Sequence, residues 1–332
     1  MANHHAQLAE EIVQAYTNTM RWYYSTHFQR YHKTFEKLKL HVMDKNDVLG
    51  YEEAARKGGL IPGLKGSAMA TYDPFNIGRR IEILRNRTAP IMAAYQAEDD
   101  KTTHYLEFHF RHFNAALMEN CSAEYTFISE FFSHKKYDQL SHIFNNIFEQ
   151  TFALGRTFTK TLVDNTYDSL GILLCVRLNQ DALFEMQKRR IPAAEGYLNA
   201  TNMLLWPRFQ LVMDAQCESL RRNINNTRML AAVSGPAAKQ SAAPHFLTQR
   251  FASLLHGLLS LSAEAGDDEP VQRSLGRLRS DFEAFLTKLS SGISDARKRE
   301  RFLLNNYSLV LTIISVSTPS HPMPYQKSLT VR

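Results

Sequence analysis

The sequence predicts an all-α protein, and three observations carry that prediction. Apolar residues recur three and four positions apart over most of the chain, the spacing that lines one face of a helix. No stretch alternates polar and apolar for long enough to demand a sheet. Only 14 glycines and 11 prolines occur in 332 residues, too few for a turn-rich β sandwich.

From the N-terminus, Ile12, Val13, Tyr16, Met20, Tyr23, Tyr24, Phe28, Tyr31, Phe35 and Leu38 keep helical spacing. They predict one long, aromatic-rich amphipathic helix from Glu10 to Val48. Gly58-Gly59 and Ile61-Pro62-Gly63 break the pattern, so Gly58 to Pro74 reads as loop. A short helix around Arg79–Arg85 and an irregular stretch near Pro90 follow. Helices are then expected at Tyr105–Glu119, Ala123–Phe132, Asp138–Thr161, Tyr167–Lys188, Pro192–Asn202 and Pro207–Asn223. Pro192 suits a first helical turn. Across the start of the last of these runs Leu204-Leu205-Trp206-Pro207-Arg208-Phe209, the least generic string in the chain. Proline lacks an N–H and disfavours helical backbone at the residue before it, so a helix is expected to start or kink there, its Trp206 indole pressed onto a neighbour. If core, that indole is worth about 3–5 kcal/mol against alanine.

Beyond it, Ser234–Pro244 is small and proline-bounded, a linker composition. Phe246–Ala263 puts Leu247, Phe251, Leu254, Leu255, Leu258 and Leu259 on one face. Asp267–Pro270 reads as a turn, with final helices at Val271–Ser290 and Asp295–Val316. The organisation read from this is a long N-terminal helix at 1–57, loop and short helices at 58–102, a helical bundle at 103–233, a linker at 234–244, a second bundle at 245–317 and a disordered tail at 318–332.

The 39 basic against 33 acidic residues leave a formal charge of +6. That charge favours anionic partners weakly and fits acidic protein, acidic lipid or nucleic acid alike. Cys121, Cys175 and Cys217 lie far apart with no paired spacing, which argues for a reducing compartment and against a disulfide scaffold or zinc site. The N-terminus lacks the layout of a signal peptide, and the most apolar runs are roughly half of the ~20 residues a spanning helix needs.

Chemistry is sparse. His104, His109 and His112 invite a metal reading, but only the last two share a helix face, and no carboxylate is placed to complete a site; polar positions among packed phenylalanines explain them. There is no G-x-S-x-G elbow. The glycines near Gly58–Gly66 fail the phosphate-loop pattern, and no HExxH string occurs. Cys121 reads as a buried structural thiol. Lys188-Arg189-Arg190 suits a helix C-terminus. Arg297, Lys298, Arg299 and Arg301 open the last helix as a possible partner contact or a solvated face. No catalytic, cofactor-binding or metal residues are assigned.

Five strings together resemble the vacuolar protein sorting-associated protein 52 family, a subunit of the Golgi-associated retrograde protein complex and of its endosome-associated sister complex. They are DKNDVLGYEEAARKG (Asp44–Gly58), NCSAEYTFISEFF (Asn120–Phe132), LLWPRF, HFLTQRFA (His245–Ala252) and FLLNNY (Phe302–Tyr307), collinear and similarly spaced across roughly Val13 to Val310. The signature residues so marked are Asp44, Glu124, Tyr125, Phe131, Trp206, Pro207, Arg208, Phe209, Asn305, Asn306 and Tyr307, all expected to serve packing. Tyr307 is expected to bury its ring, and the asparagines to bond to a neighbouring loop's backbone.

The resemblance implies elongated, stacked helical bundles of the multisubunit-tether rod type. It implies a non-enzymatic tether for endosome-derived vesicles at the trans-Golgi network, in the cytosol and peripheral on Golgi and endosomal membranes. Its implied partners are the other tether subunits, SNAREs and a Rab-class GTPase, with no cofactor and no nucleic acid. The match is read as lacking the family's N-terminal coiled coil, and a proline-containing tail stands after Ser317 where the family carries further helices. Two other classes stay open on the residues alone: a basic helical module binding nucleic acid, and a helical metal-dependent enzyme using His104, His109 and His112.

Overall fold

The computed structural model describes residues 5–51, 74–224, 242–263 and 269–317. The expected loop up to residue 73, most of the 234–244 linker and the 318–332 tail lie outside them. The fold is all-α. Its helices are α1 (Ala6–Phe35), α2 (Glu82–Arg85, entered by a 3-10 turn at Gly78–Ile81), α3 (Ala94–Asp99), α4 (Leu106–Phe131), α5 (Tyr137–Asp164), α6 (Ser169–Lys188), α7 (Glu195–Ile224, entered by a 3-10 turn at Pro192–Ala194), α8 (Phe246–Ala263), α9 (Glu269–Ser291) and α10 (Ala296–Ser317). Among the described residues the strand content is one parallel pair, β1 (Lys39–Leu40) and β2 (Thr103–His104), with Lys39 opposite Thr103 and Leu40 opposite His104.

Three expected boundaries are corrected. The first helix stops at Phe35 and does not run to Val48. Lys37-Leu38-Lys39-Leu40-His41-Val42 alternates polar and apolar with period two, and the chain follows it into β1, where the His41 N–H donates to the His104 carbonyl at 2.7 Å. Second, the break expected between Glu119 and Ala123 is absent. Cys121 is fully buried inside a continuous α4, and the Asn120 amide bonds back to the Ala116 carbonyl at 2.8 Å, so burial overrides weak local propensity.

Third, α7 does not start at Pro207 but continues through it. The carbonyl that loses its donor belongs to Met203, which is 77% exposed, and Pro207 is exposed on the same side. Water satisfies a bond broken on that face at little cost.

The described residues divide into two compact units that interleave in sequence, Met1–Lys45 with Ile81–Leu211 and Asn46–Arg80 with Val212–Arg332. Residues that follow β1 pack on the end of α7 about 170 positions later, a pairing that periodicity does not encode.

In the first unit, α1 lies along α5, α4 packs on α5 and α6, and α3 packs on α1. Leu140, Phe144, Phe148 and Phe152 step four residues apart down α5 and are all buried. Phe144 and Phe148 rings lie 4.8 Å apart, and Tyr24 of α1 stacks on Phe148 at 4.6 Å. Phe113 of α4 meets Phe158 at 4.5 Å. Each such ring contributes about 2–3 kcal/mol by leaving water. α6 is capped by Asp168, whose carboxylate accepts from the Gly171 N–H at 2.8 Å. In the second unit, α8 packs on α9 and α10, with Phe251 and Phe282 stacked at 3.8 Å.

Candidate functional site

The polar residues that the sequence singles out are mostly committed to joining elements. Glu124 of α4 is 4% exposed and accepts from two tyrosines of α1, Tyr16 at 2.6 Å and Tyr24 at 2.9 Å. Burial and then the Glu124 carboxylate push both phenols above their ordinary value. A buried carboxylate needs such donors to offset its desolvation. Tyr125 is buried with its ring edge-on to Phe144 at 5.7 Å. Phe131 departs from its expected packing role: it is 59% exposed and stacks on Phe127, itself 45% exposed, at 5.4 Å.

The LLWPRF hexamer divides by residue. Leu205 and Phe209 are fully buried. Trp206 is only half-buried, edge-on to Phe209 at 5.8 Å, so the indole is not a core anchor. Arg208 carries the long-range contact. Its guanidinium donates to the Thr166 carbonyl at 2.8 Å and lies 5.4 Å from the Tyr167 ring, holding the α5–α6 connection.

Asp44 is exposed at the start of its string; the docking residues follow it. The Leu49 N–H donates to the Gln216 side chain at 2.8 Å, and the Gly50 N–H to Ser219 Oγ at 3.0 Å. The Asn223 amide donates to the Gly50 carbonyl, and Arg250 to the Tyr51 carbonyl at 2.8 Å. A Cβ on Gly50 would lie 2.2 Å from the Ser219 carbonyl oxygen, so only glycine permits this approach.

FLLNNY forms the matching clamp on α8. Asn306 is completely buried, accepts from the His245 N–H at 2.9 Å and the Thr248 hydroxyl at 2.5 Å, and donates to the Phe302 carbonyl at 2.7 Å. It therefore satisfies an orphan donor at the start of α8 from another helix. Asn305 donates to the Ala242 carbonyl. Tyr307 is half-buried.

The three histidines take separate tasks. His104 pairs with Asp100 at 2.7 Å and stacks on Phe108 at 3.8 Å. Hydrogen bonds from Thr102, then from His104, hold the Asp100 carboxyl at about 2. His109 faces the Tyr105 carbonyl, and His112 Nδ1 accepts from the Met92 N–H at 3.0 Å. Burial holds His112 down at about 4. Among the described residues no group of three or more His, Cys, Asp or Glu is arranged to hold a metal. Cys121, Cys175 and Cys217 are buried free thiols; burial pushes Cys121 well up, and burial and then Asp281 push Cys217 up to about 12.

A cavity of about 340 Å³ between α2, α4 and α6 is lined by Phe110, Met118, Leu178 and Met186. Its charged rim is self-paired, Arg87 with Asp181 at 3.0 Å and Arg189 with Glu119 at 2.9 Å. Arg189 of the Lys188-Arg189-Arg190 run is thus tied down at the end of α6. Arg297, Lys298 and Arg301 are exposed and Arg299 half-buried.

Sequence reasoning missed Tyr16 and Tyr24 as partners of Glu124, and Gln216, Ser219 and Asn223 as the receptor for the 49–51 segment. Their signal is a polar residue at a helix position where the period demands an apolar one. It also missed Gly155 on α5, where a Cβ would come within 2.5 Å of the Tyr197 hydroxyl; that hydroxyl bonds Asn114 at 2.6 Å. Among the described residues no helix is long and apolar enough to cross a membrane.

A family model described as "Vps52, C-terminal" matches residues 18–326. The chain is 33% identical to vacuolar protein sorting-associated protein 52 of Schizosaccharomyces pombe, over 93% of this chain and 58% of that protein. It is 31% identical to the Saccharomyces cerevisiae protein of that name, over 90% of this chain and 51% of that protein. To the Homo sapiens homolog it is 26% identical, over 92% and 41%. The chain thus spans about half the length of the curated relatives it matches. No solved structure matches.

Proposed function

The chain belongs to the Vps52 family, in its C-terminal region, and from that membership we propose that it is a non-enzymatic subunit of a vesicle-tethering complex in protein sorting. The more specific reading is retrograde transport from endosomes to the trans-Golgi network. There the chain scaffolds other tether subunits and contacts SNARE and Rab-class GTPase partners, peripheral on those membranes through its partners. The observation that carries the reading is the continuous family match over residues 18–326. The signature polar residues Glu124, Arg208, Asn305 and Asn306 join helix to helix or helix to connection within the chain and so hold its fold.

Immunoprecipitation of the tagged chain from its own cells tests the proposal. The expected result is co-recovery of the other subunits of a retrograde tether. Recovery of the chain without any of them overturns it.

A further inference from the structure

The N-terminal end of α10 is charged against its own helix. Arg297, Lys298, Arg299 and Arg301 occupy its first two turns, where the positive end of the macrodipole disfavours cations. The first turn contains no acidic residue. Asp295 precedes it, but its carboxylate accepts from the Arg297 and Lys298 backbone N–H groups, at 2.9 and 3.3 Å. Glu300 is the other acid in the cluster. Arg299 directs Nε to the Ile293 carbonyl at 3.3 Å.

None of the four cations forms an ion pair with a described residue, whereas in the same unit Arg221 pairs with Asp281, Arg273 with Glu269, Arg277 with Asp214 and Arg279 with Glu283. Arg297, Lys298 and Arg301 are exposed, so their charges are open to a partner.

Positions 297, 301 and 304 share one helix face. Leu304 is 64% exposed, and it continues the cationic stripe with an apolar residue one turn on. The opposite face, Phe302, Asn306 and Val310, is buried. We infer that this stripe docks an acidic amphipathic helix of a partner protein, its carboxylates on Arg297 and Arg301 and its next apolar turn on Leu304. Three of the four cations are arginines, whose planar forks match carboxylates in two-point contact. A bilayer would call for a free apolar helix face, and the apolar face of α10 is already buried. The inference rests on the subunit reading, yet the two fail separately: subunit recovery by the wild-type chain tests that reading, and the variants below test this surface.

The probe is a helical peptide of about 20 residues, roughly 30 Å long, with glutamates at i and i+4 and leucine at i+7, titrated into the full chain. Binding is expected to fall about tenfold or more in Arg297→Glu/Arg301→Glu and with a glutamine-for-glutamate peptide, and to weaken steeply with salt. The same variant is expected to keep or raise the melting temperature, since glutamates suit a helix N-terminus. Arg30→Glu/Lys33→Glu on α1 makes the same net-charge change and should leave binding unaltered. No peptide binding, or equal loss in both double variants, overturns the proposal. So does stripe-dependent binding to phosphatidylserine-containing vesicles in place of the peptide.

Discussion

Replacing Asn306 with alanine removes one buried side chain and three hydrogen bonds at once. The Oδ1 that accepts from the His245 N–H and the Thr248 hydroxyl disappears, as does the amide that donates to the Phe302 carbonyl. Asn306 is 0% exposed and Thr248 is 0% exposed, so water does not replace the lost acceptor. At about 1–3 kcal/mol for each buried group left unpaired, and with the His245 amide only partly buried, the expected loss is about 2–5 kcal/mol.

The assay is urea denaturation of Asn306→Ala, Thr248→Val and the double variant. Thr248→Val alone should cost about 1 kcal/mol, the ordinary net value of a hydrogen bond. In the Asn306→Ala background it should cost nothing or restore stability, because the orphaned hydroxyl is then gone. A coupling of at least about 1 kcal/mol is therefore expected. Hydrogen exchange at the amides opening α8 should rise in Asn306→Ala. A loss below about 1 kcal/mol, or strictly additive variants, would refute the cap.

Three further outcomes are expected. Gly50→Ala forces a Cβ onto the Ser219 carbonyl at 2.2 Å and should cost about 1–3 kcal/mol or more; an unchanged urea midpoint would show that residues 49–51 do not dock on α7. Phe209→Ala should cost about 3–5 kcal/mol, while Trp206→Ala should cost less than half of that, and a reversed order by thermal melting contradicts the burial described here. Burial holds His112 and His245 at about 4, below the unfolded value near 6.5. The unfolded chain therefore takes up these protons first, and their stability contribution is intact above about pH 6.5 and lost as pH falls toward 4. A melting temperature that falls less steeply across that window in His112→Gln/His245→Gln than in the parent chain confirms the source; identical profiles reject it.

The helices were legible where burial follows one period along a stretch. Phe246–Ala263 is observed with its expected ends, and α5, α9 and α10 differ from expectation by a few residues, because each buries a continuous stripe against a neighbour. The candidate site was less legible. Glu124, Arg208, Asn305 and Asn306 stood out as residues, but their partners lie 42 to 108 positions away in three of the pairings that define them, with Tyr16, Thr166 and Ala242. A helix start at Pro207 is also absent, since what a proline costs depends on whether the carbonyl it strands faces water.

By itself, then, the sequence determined the all-α class, the amphipathic stripes and the family resemblance, since these depend on residue type and spacing along the chain. Tertiary structure alone decided that the first helix ends at Phe35 and that α7 continues through Pro207. It also decided that Arg208, more than Trp206, anchors the hexamer, and that residues 49–51 belong with the end of α7. Each of those outcomes turns on which groups a distant segment covers or pairs. Burial and hydrogen-bond satisfaction are properties of the packed molecule, and local spacing carries no record of them.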